Sequence, residues 1–517
     1  MKTLRFLLLF VIIILAITYI SMAFLPPYLK DELFYTLSLP HLWKLTGKIT
    51  PFYWFTPSHF PPIFFILYYL IGPHNFVLAH FSGIIASTLL LFYLSAYLKI
   101  FTFLNRRQDR YMLIFLFLFI PVVGQIISSS YVDIWVSAFV AAGVFHTRKY
   151  LISEKIFHLI TASLFFSLAF GTKYTAIPLL LFSFLILLLF LPDARSRIIF
   201  TSITISFLIL LNGFWLWWNY VDTGNPLFPL LPGLLKIREV HHFNPTPVKF
   251  TTYIDPLTLR KLVYHESTLQ ILLAPVRVFF YGKDGVPALF DGSLAPYLII
   301  FPIFASYRDK WNRGFIAIAI LFILTVFFTQ PLRARYFLPA VPFLLILTVE
   351  GLSKLSERNR LIASILLLVT LIQPANYFIS HTSSVEILPF LTGRMSEEKW
   401  KRRHLPYKNM YDFINRSPCK KIFLYFTGRR GYYINRPFMF EPSTNIEGNW
   451  LLTAVRENSF YPFKKFGVDC LAINKTLLSR FISINFTRKD VESFKNLFAS
   501  KATILYNDEV VEVVKIR

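Results

Sequence analysis

The chain has 517 residues, of which 55% are hydrophobic, 18% aromatic and only 16% charged; an ordinary soluble domain carries roughly 25% charged residues. The formal net charge is +25, but the basic residues sit in short loops between apolar runs and form no separate patch with base-stacking aromatics, which argues against a nucleic-acid partner. Two cysteines, Cys419 and Cys470, are too few for a metal cluster or a disulfide-built scaffold.

About eleven apolar runs, most of them near the length needed to cross a bilayer, organise the chain. Lys2 and Arg5 precede the first, Phe6–Leu25. It is long for a cleaved signal peptide, so a retained first span is expected. Further runs lie at His74–Ile100, Tyr111–Ile127, Tyr131–His146, Ile156–Phe170, Tyr174–Leu191 and Ile198–Trp218. A proline-rich segment, Asn219–Leu294, interrupts them, and His241-His242 within it reads as a surface pair. Four more follow at Ala295–Ala305, Gly314–Phe328, Tyr336–Gly351 and Leu361–Ile379. Clusters such as Arg106-Arg107, Arg148-Lys149 and Arg195 with Arg197 alternate with the runs. All fall on one side, the cytoplasmic one, if the N-terminus is cytoplasmic.

The sequence therefore predicts a polytopic α-helical membrane domain over residues 1–379, set in the inner, cytoplasmic membrane. Its outer loops are 26–73 and 219–294. A small extracytoplasmic α/β domain over residues 380–517 follows, with β-like runs at Ile422–Phe426, Cys470–Ile473, Thr503–Tyr506 and Val510–Ile516. Cys419 and Cys470 each lie at or near the start of such a run. Adjacent parallel strands would bring them together, and an oxidising compartment would let them pair. Two separate buried thiols are the alternative.

Ionisable groups near membrane depth are costly and are the first functional candidates. Five places stand out, and the expected topology puts all of them outside. Asp31 and Glu32 follow the first run, with Tyr35 four residues after Asp31; a solvated helix start is the plain alternative. His59 precedes Pro61-Pro62 and could be an interface residue. Asp133 opens the fourth run, where a capping carboxylate is also ordinary. Lys173 and Tyr174 lie between the fifth and sixth runs, where a lysine can snorkel. Arg333, Arg335 and Tyr336 come at the outer end of the ninth, against the positive-inside trend. Carboxylates can supply a general base, and arginine or lysine can hold a phosphate.

At these residues the sequence resembles the GT-C glycosyltransferases, in the branch of protein O-mannosyltransferases and lipid A aminoarabinose transferases. The motifs, in order, are Asp31-Glu32-Leu33-Phe34-Tyr35, His59-Phe60-Pro61-Pro62, Asp133, Thr172-Lys173-Tyr174, Gly224-Asn225-Pro226-Leu227-Phe228-Pro229 and Arg335-Tyr336-Phe337-Leu338-Pro339. Phe60 departs from the usual direct His-Pro-Pro. The resemblance covers about residues 1–350 and implies transfer of a sugar from a polyprenyl-phosphate donor, with inversion. The acceptor is a hydroxyl or amine on a lipid, glycan or protein. It implies Asp31 as the base, with Glu32 in support. Tyr35, His59, Asp133, Lys173, Tyr174, Asn225, Arg333, Arg335 and Tyr336 would bind substrate, and the two arginines lead for the phosphate. Some distant GT-C enzymes need a divalent metal, for which Asp31, Glu32 and His59 carry suitable atoms. The branch resembled here mostly works without one, so no metal or other cofactor is expected. A lipid-glycan transporter or flippase is the rival reading, but it predicts internal repeats and charges at the bilayer midplane. An O-antigen-type ligase, using a lipid diphosphate, is the nearer rival.

Overall fold

The computed structural model describes residues 2–52, 54–101, 107–230, 256–442 and 447–517. The pair His241-His242 and the loop arginine Arg106 lie outside them. Every one of the expected apolar runs is helical. Among the described residues, five helices are long and apolar enough to cross a membrane: Phe76–Ile100, Ala194–Thr223, Lys310–Thr329, Ala334–Arg358 and Arg360–Ser384. Shorter apolar helices are Phe6–Met22, Ile156–Phe170 and Ala176–Phe190. Two of the runs are broken. Pro121 lacks the N–H that would continue the helix Arg107–Leu118, so a new helix, Pro121–Ile126, starts there. Pro302 likewise leaves Tyr297–Ile300 a single turn, followed by a 3₁₀ turn at Phe301–Phe304.

Burial sorts these helices. The hydrophobic window of Ala334–Arg358 is 89% buried, whereas those of Ala194–Thr223 and Arg360–Ser384 are 22% and 17% buried. Leu210, Ile209, Leu368 and Ile372 on the latter two are exposed. Apolar surface of that extent is stable against lipid tails and not against water. The protein is thus a membrane protein. Close helix approach inside it uses a small residue: a Cβ on Gly351 would lie 1.9 Å from the Phe301 carbonyl oxygen.

Two compact units share the chain. The first comprises Met1–Leu25, Val77–Gly213 and Ile254–Thr392; the second comprises Pro26–Phe76, Phe214–Tyr253 and Gly393–Arg517. The second unit holds the sheet: β1 (Ile422–Tyr425), β2 (Phe438–Met439), β3 (Cys470–Asn474), β4 (Ala502–Asn507) and β5 (Val511–Ile516), in the order β2-β1-β3-β5-β4. The pairs β1–β2 and β1–β3 are parallel, and β5 runs antiparallel to both β3 and β4. Strands β1 and β3 are buried along their whole length, as their continuous apolar sequences require, and β4 at the edge is partly exposed. Ile422 lies opposite Cys470 in the parallel register. Cys419 and Cys470 are joined by a disulfide with Cα atoms 5.8 Å apart, the pairing that adjacent parallel strands were expected to allow.

The core of the second unit is continuous from the 26–73 loop into the sheet. Trp43, Phe55 and Phe65 from the loop, and Trp215, belong to one buried cluster with Phe423, Phe440, Trp450 and Phe463. The Phe55 and Phe440 rings meet edge to face at 4.9 Å.

Candidate active site

The candidate residues form two groups, one in each unit. In the second unit, Asp31 opens a turn of π-helix, Glu32–Thr36. The wider i→i+5 closure, Leu37 N–H to the Glu32 carbonyl at 3.3 Å, is rare and recurs at functional sites. The Tyr35 hydroxyl donates to Asp31 Oδ2 at 2.9 Å, so the i, i+4 spacing does bring the phenol onto the carboxylate. Glu32 is fully buried, and one of its oxygens accepts from the Leu29 N–H at 3.3 Å. The two neighbouring carboxylates therefore have different surroundings.

His59 is fully buried as well. Its Nε2 lies 2.7 Å from Asp222 Oδ2 and its Nδ1 lies 3.4 Å from the Ser58 hydroxyl. The Asn219 amide donates to the His59 carbonyl at 3.0 Å. Asn225 shapes its own turn: its Oδ1 accepts from the Leu227 N–H, and its Nδ2 donates to the Leu230 carbonyl. Such an Asx turn is what Asn supplies ahead of a proline-rich segment. Among the described residues no group of three or more His, Cys, Asp or Glu side chains is arranged to hold a metal ion.

The first unit gathers the other group from four distant points of the sequence. Lys173 Nζ is 2.8 Å from Asp133 Oδ1, with only 12% and 4% of the two side chains exposed. The same ammonium lies 5.3 Å from the centre of the Tyr336 ring. The Arg335 guanidinium carbon is 4.8 Å from the Tyr131 ring centre and 5.2 Å from that of Tyr336. Tyr336 thus has two cations within reach of its ring, each attracted by the ring quadrupole. Ser137 fastens helix Asp133–Ser153 to the segment that carries Arg335, donating to the Leu338 carbonyl at 3.2 Å. Tyr174 is buried beside Lys173 in sequence. Arg333 points to a different partner, Asp291 Oδ2 at 3.3 Å.

Three partners were not singled out by the sequence: Tyr131, Asp222 and Asp291. Tyr131 and Asp222 each lie two or three residues from a quoted motif. Asp291 is followed by Gly292, whose φ of 118° requires glycine. The Asp-Gly pair was the available signal for a tight turn. That turn is fixed by close backbone contact, because a Cβ on Gly282 would fall 1.9 Å from the Gly292 carbonyl oxygen.

The fold is GT-C-like, that of a helical membrane protein with a small C-terminal sheet. The chain is similar along its whole length to ArnT from Cupriavidus metallidurans. The ArnT structure bound to undecaprenyl phosphate matches with a TM-score of 0.59 and 12% identity, over 99% of this chain and 98% of that one. The apo structure of the same protein gives 0.57 and 12%, over 100% and 98%. No family model matches the sequence, and a search of curated proteins returns no match.

Proposed function

We propose that this chain is a membrane glycosyltransferase that moves a sugar from a polyprenyl-phosphate donor to an acceptor hydroxyl or amine, with inversion at the anomeric carbon. The observation that carries the reading is the full-length likeness to ArnT, one of whose structures is bound to undecaprenyl phosphate. In the proposed reaction Asp31 takes the proton from the acceptor. The acceptor atom attacks the anomeric carbon, the glycosidic bond to phosphate breaks, and the lipid phosphate leaves with the bonding electrons. Tyr35, already bonded to Asp31, orients the carboxylate. Arg335, Arg333 and Lys173 are the candidates to stabilise the departing phosphate. The Arg335 guanidinium lies over the Tyr131 and Tyr336 rings, and arginine is the side chain suited to bidentate contact with a phosphate. His59 and Asn225 shape loops of the second unit, and Asp133, Tyr174 and Tyr336 accompany Lys173 and Arg335 in the first. The acceptor is a lipid, glycan or protein group at the outer face of the inner membrane. The disulfide supports an extracytoplasmic place for the C-terminal domain, because such bonds persist in oxidising compartments.

The test is mass spectrometry of envelope lipids and glycans in a deletion strain, complemented with the wild type or with Asp31→Asn. One glycosylated species should vanish on deletion and return only with the wild type. Asp31→Asn should slow transfer by roughly 10²–10⁴ and keep undecaprenyl-phosphate binding. Near-normal transfer by Asp31→Asn would remove the base assignment, and no change on deletion would remove the reading itself.

A further inference from the structure

The turn that carries Asp31 and Glu32 is not held by its own loop alone. Four consecutive residues of the C-terminal segment, Gly431-Tyr432-Tyr433-Ile434, bond to it and to both ends of that loop. The Gly431 N–H donates to the Leu33 carbonyl at 2.9 Å, and the Tyr432 N–H reaches the same oxygen at 3.4 Å. The Tyr433 hydroxyl donates to the Pro27 carbonyl at 2.8 Å, and the Tyr432 hydroxyl donates to the Pro73 carbonyl, also at 2.8 Å. His41 Nε2 lies 2.9 Å from the Ile434 carbonyl.

Several of these atoms have no regular backbone partner to replace them. Pro27 and Pro73 stand outside any helix, so their carbonyls need a donor from elsewhere. The Leu33 carbonyl also accepts from the Ser38 hydroxyl, so this oxygen collects donors from its own turn and from Gly431-Tyr432. Burial pushes the Tyr432 and Tyr433 phenols well above their ordinary range, and the nearby Glu32 carboxylate adds to the rise. Both tyrosines therefore stay protonated as donors, in the surroundings of the buried glutamate. The four residues are themselves anchored: Asn415 donates to the Tyr433 carbonyl at 2.9 Å.

We infer that Gly431–Ile434 is a positioning strap that fixes the backbone of the carboxylate-bearing turn, so that the C-terminal domain acts as the holder of Asp31 and Glu32 and not as a separate module. Tyr432 and Tyr433 are positioning residues in this assignment. The inference rests on the reading of Asp31 as the base, and its test separates the two.

The experiment compares the full-length wild type, the double variant Tyr432→Phe with Tyr433→Phe, and Asp31→Asn, each in lipid nanodiscs. Hydrogen exchange is followed peptide by peptide, undecaprenyl-phosphate binding is measured on the same samples, and transfer is read in the complemented deletion strain. The Phe variants keep both rings and remove only the two hydroxyl bonds. In the double variant, peptides over residues 29–41 should exchange roughly tenfold faster or more, the scale set by losing two such bonds. Strands β1 and β3 should keep wild-type exchange, lipid-phosphate binding should hold, and transfer should fall. Unchanged exchange over residues 29–41 overturns the strap. Faster exchange in β1 and β3 as well also overturns it, because the tyrosines would then merely stabilise the domain. Asp31→Asn should keep wild-type exchange and lose transfer. If it keeps transfer, the base assignment fails, while the exchange data still decide the strap.

Discussion

The two units hold their carboxylates in different ways. In the first, Asp133 meets an ammonium, Lys173, with almost no water access to either. In the second, Asp31 receives the hydroxyl of Tyr35. A buried ion pair tolerates neither partner's loss, because the survivor is a charge in a poorly solvated place. The Tyr35 phenol gives Asp31 a donor that orients its carboxylate. The first arrangement fixes the Lys173 ammonium beside Asp133 and the Tyr336 ring. The second fixes the direction of the Asp31 carboxylate.

The contrast can be broken from either side. The largest stability effect is expected from Asp133→Ala, which strands Lys173 and should cost about 3–5 kcal/mol. Protection should fall in helices Asp133–Ser153 and Ile156–Phe170, and adding Lys173→Met should recover most of it. A single variant as stable as the wild type would show that the pair is not held as described. Next is Cys419→Ser, which opens the link across 51 residues and should cost about 2–4 kcal/mol. Its signature is faster exchange in β1 and β3 with helix Ala334–Arg358 unchanged; equal loss in that helix would deny the units their separate stability.

The smallest effect concerns pH. Glu441 is fully buried, and burial pushes its carboxyl up to about 8, despite N–H donors from Gly448, Asn449 and Trp450 and the Tyr425 hydroxyl. The folded domain thus holds this proton more tightly than the unfolded chain, where the value is near 4.5. Its contribution is present in full below about 4.5 and is lost as pH rises toward about 8. Denaturant titrations of the second unit should show that decline, and Glu441→Gln should flatten it. An unchanged slope in the variant would assign the decline elsewhere.

Much of this was legible before any coordinates. Long apolar runs name their helices, because a membrane-spanning helix satisfies its own backbone groups over a fixed length. Asp133, Lys173, Arg335 and Tyr336 stood out singly as polar groups near apolar runs, yet nothing in the sequence pairs residues two hundred positions apart. Pro121 marked a break within a run that hydropathy alone reads as continuous. The two-residue strand β2 was too short to carry an alternating pattern. Asp222 and Asp291 lay in a loop whose many polar residues looked alike until a partner distinguished them. The strap was least legible of all: Gly431-Tyr432-Tyr433 carries no motif, and its meaning lies wholly in the carbonyls it reaches.

The second unit is woven from three separate stretches of one chain, and this sets an order of biosynthesis. The turn that bears Asp31 leaves the ribosome early, whereas β5, which lies between β3 and β4, comes from residues 511–516. The five-stranded sheet cannot close until β5 arrives, and the parallel pairing of β1 with β3 is itself non-local and slow to form. A chain stalled before residues 431–434 therefore lacks the strap that bonds to the turn bearing Asp31.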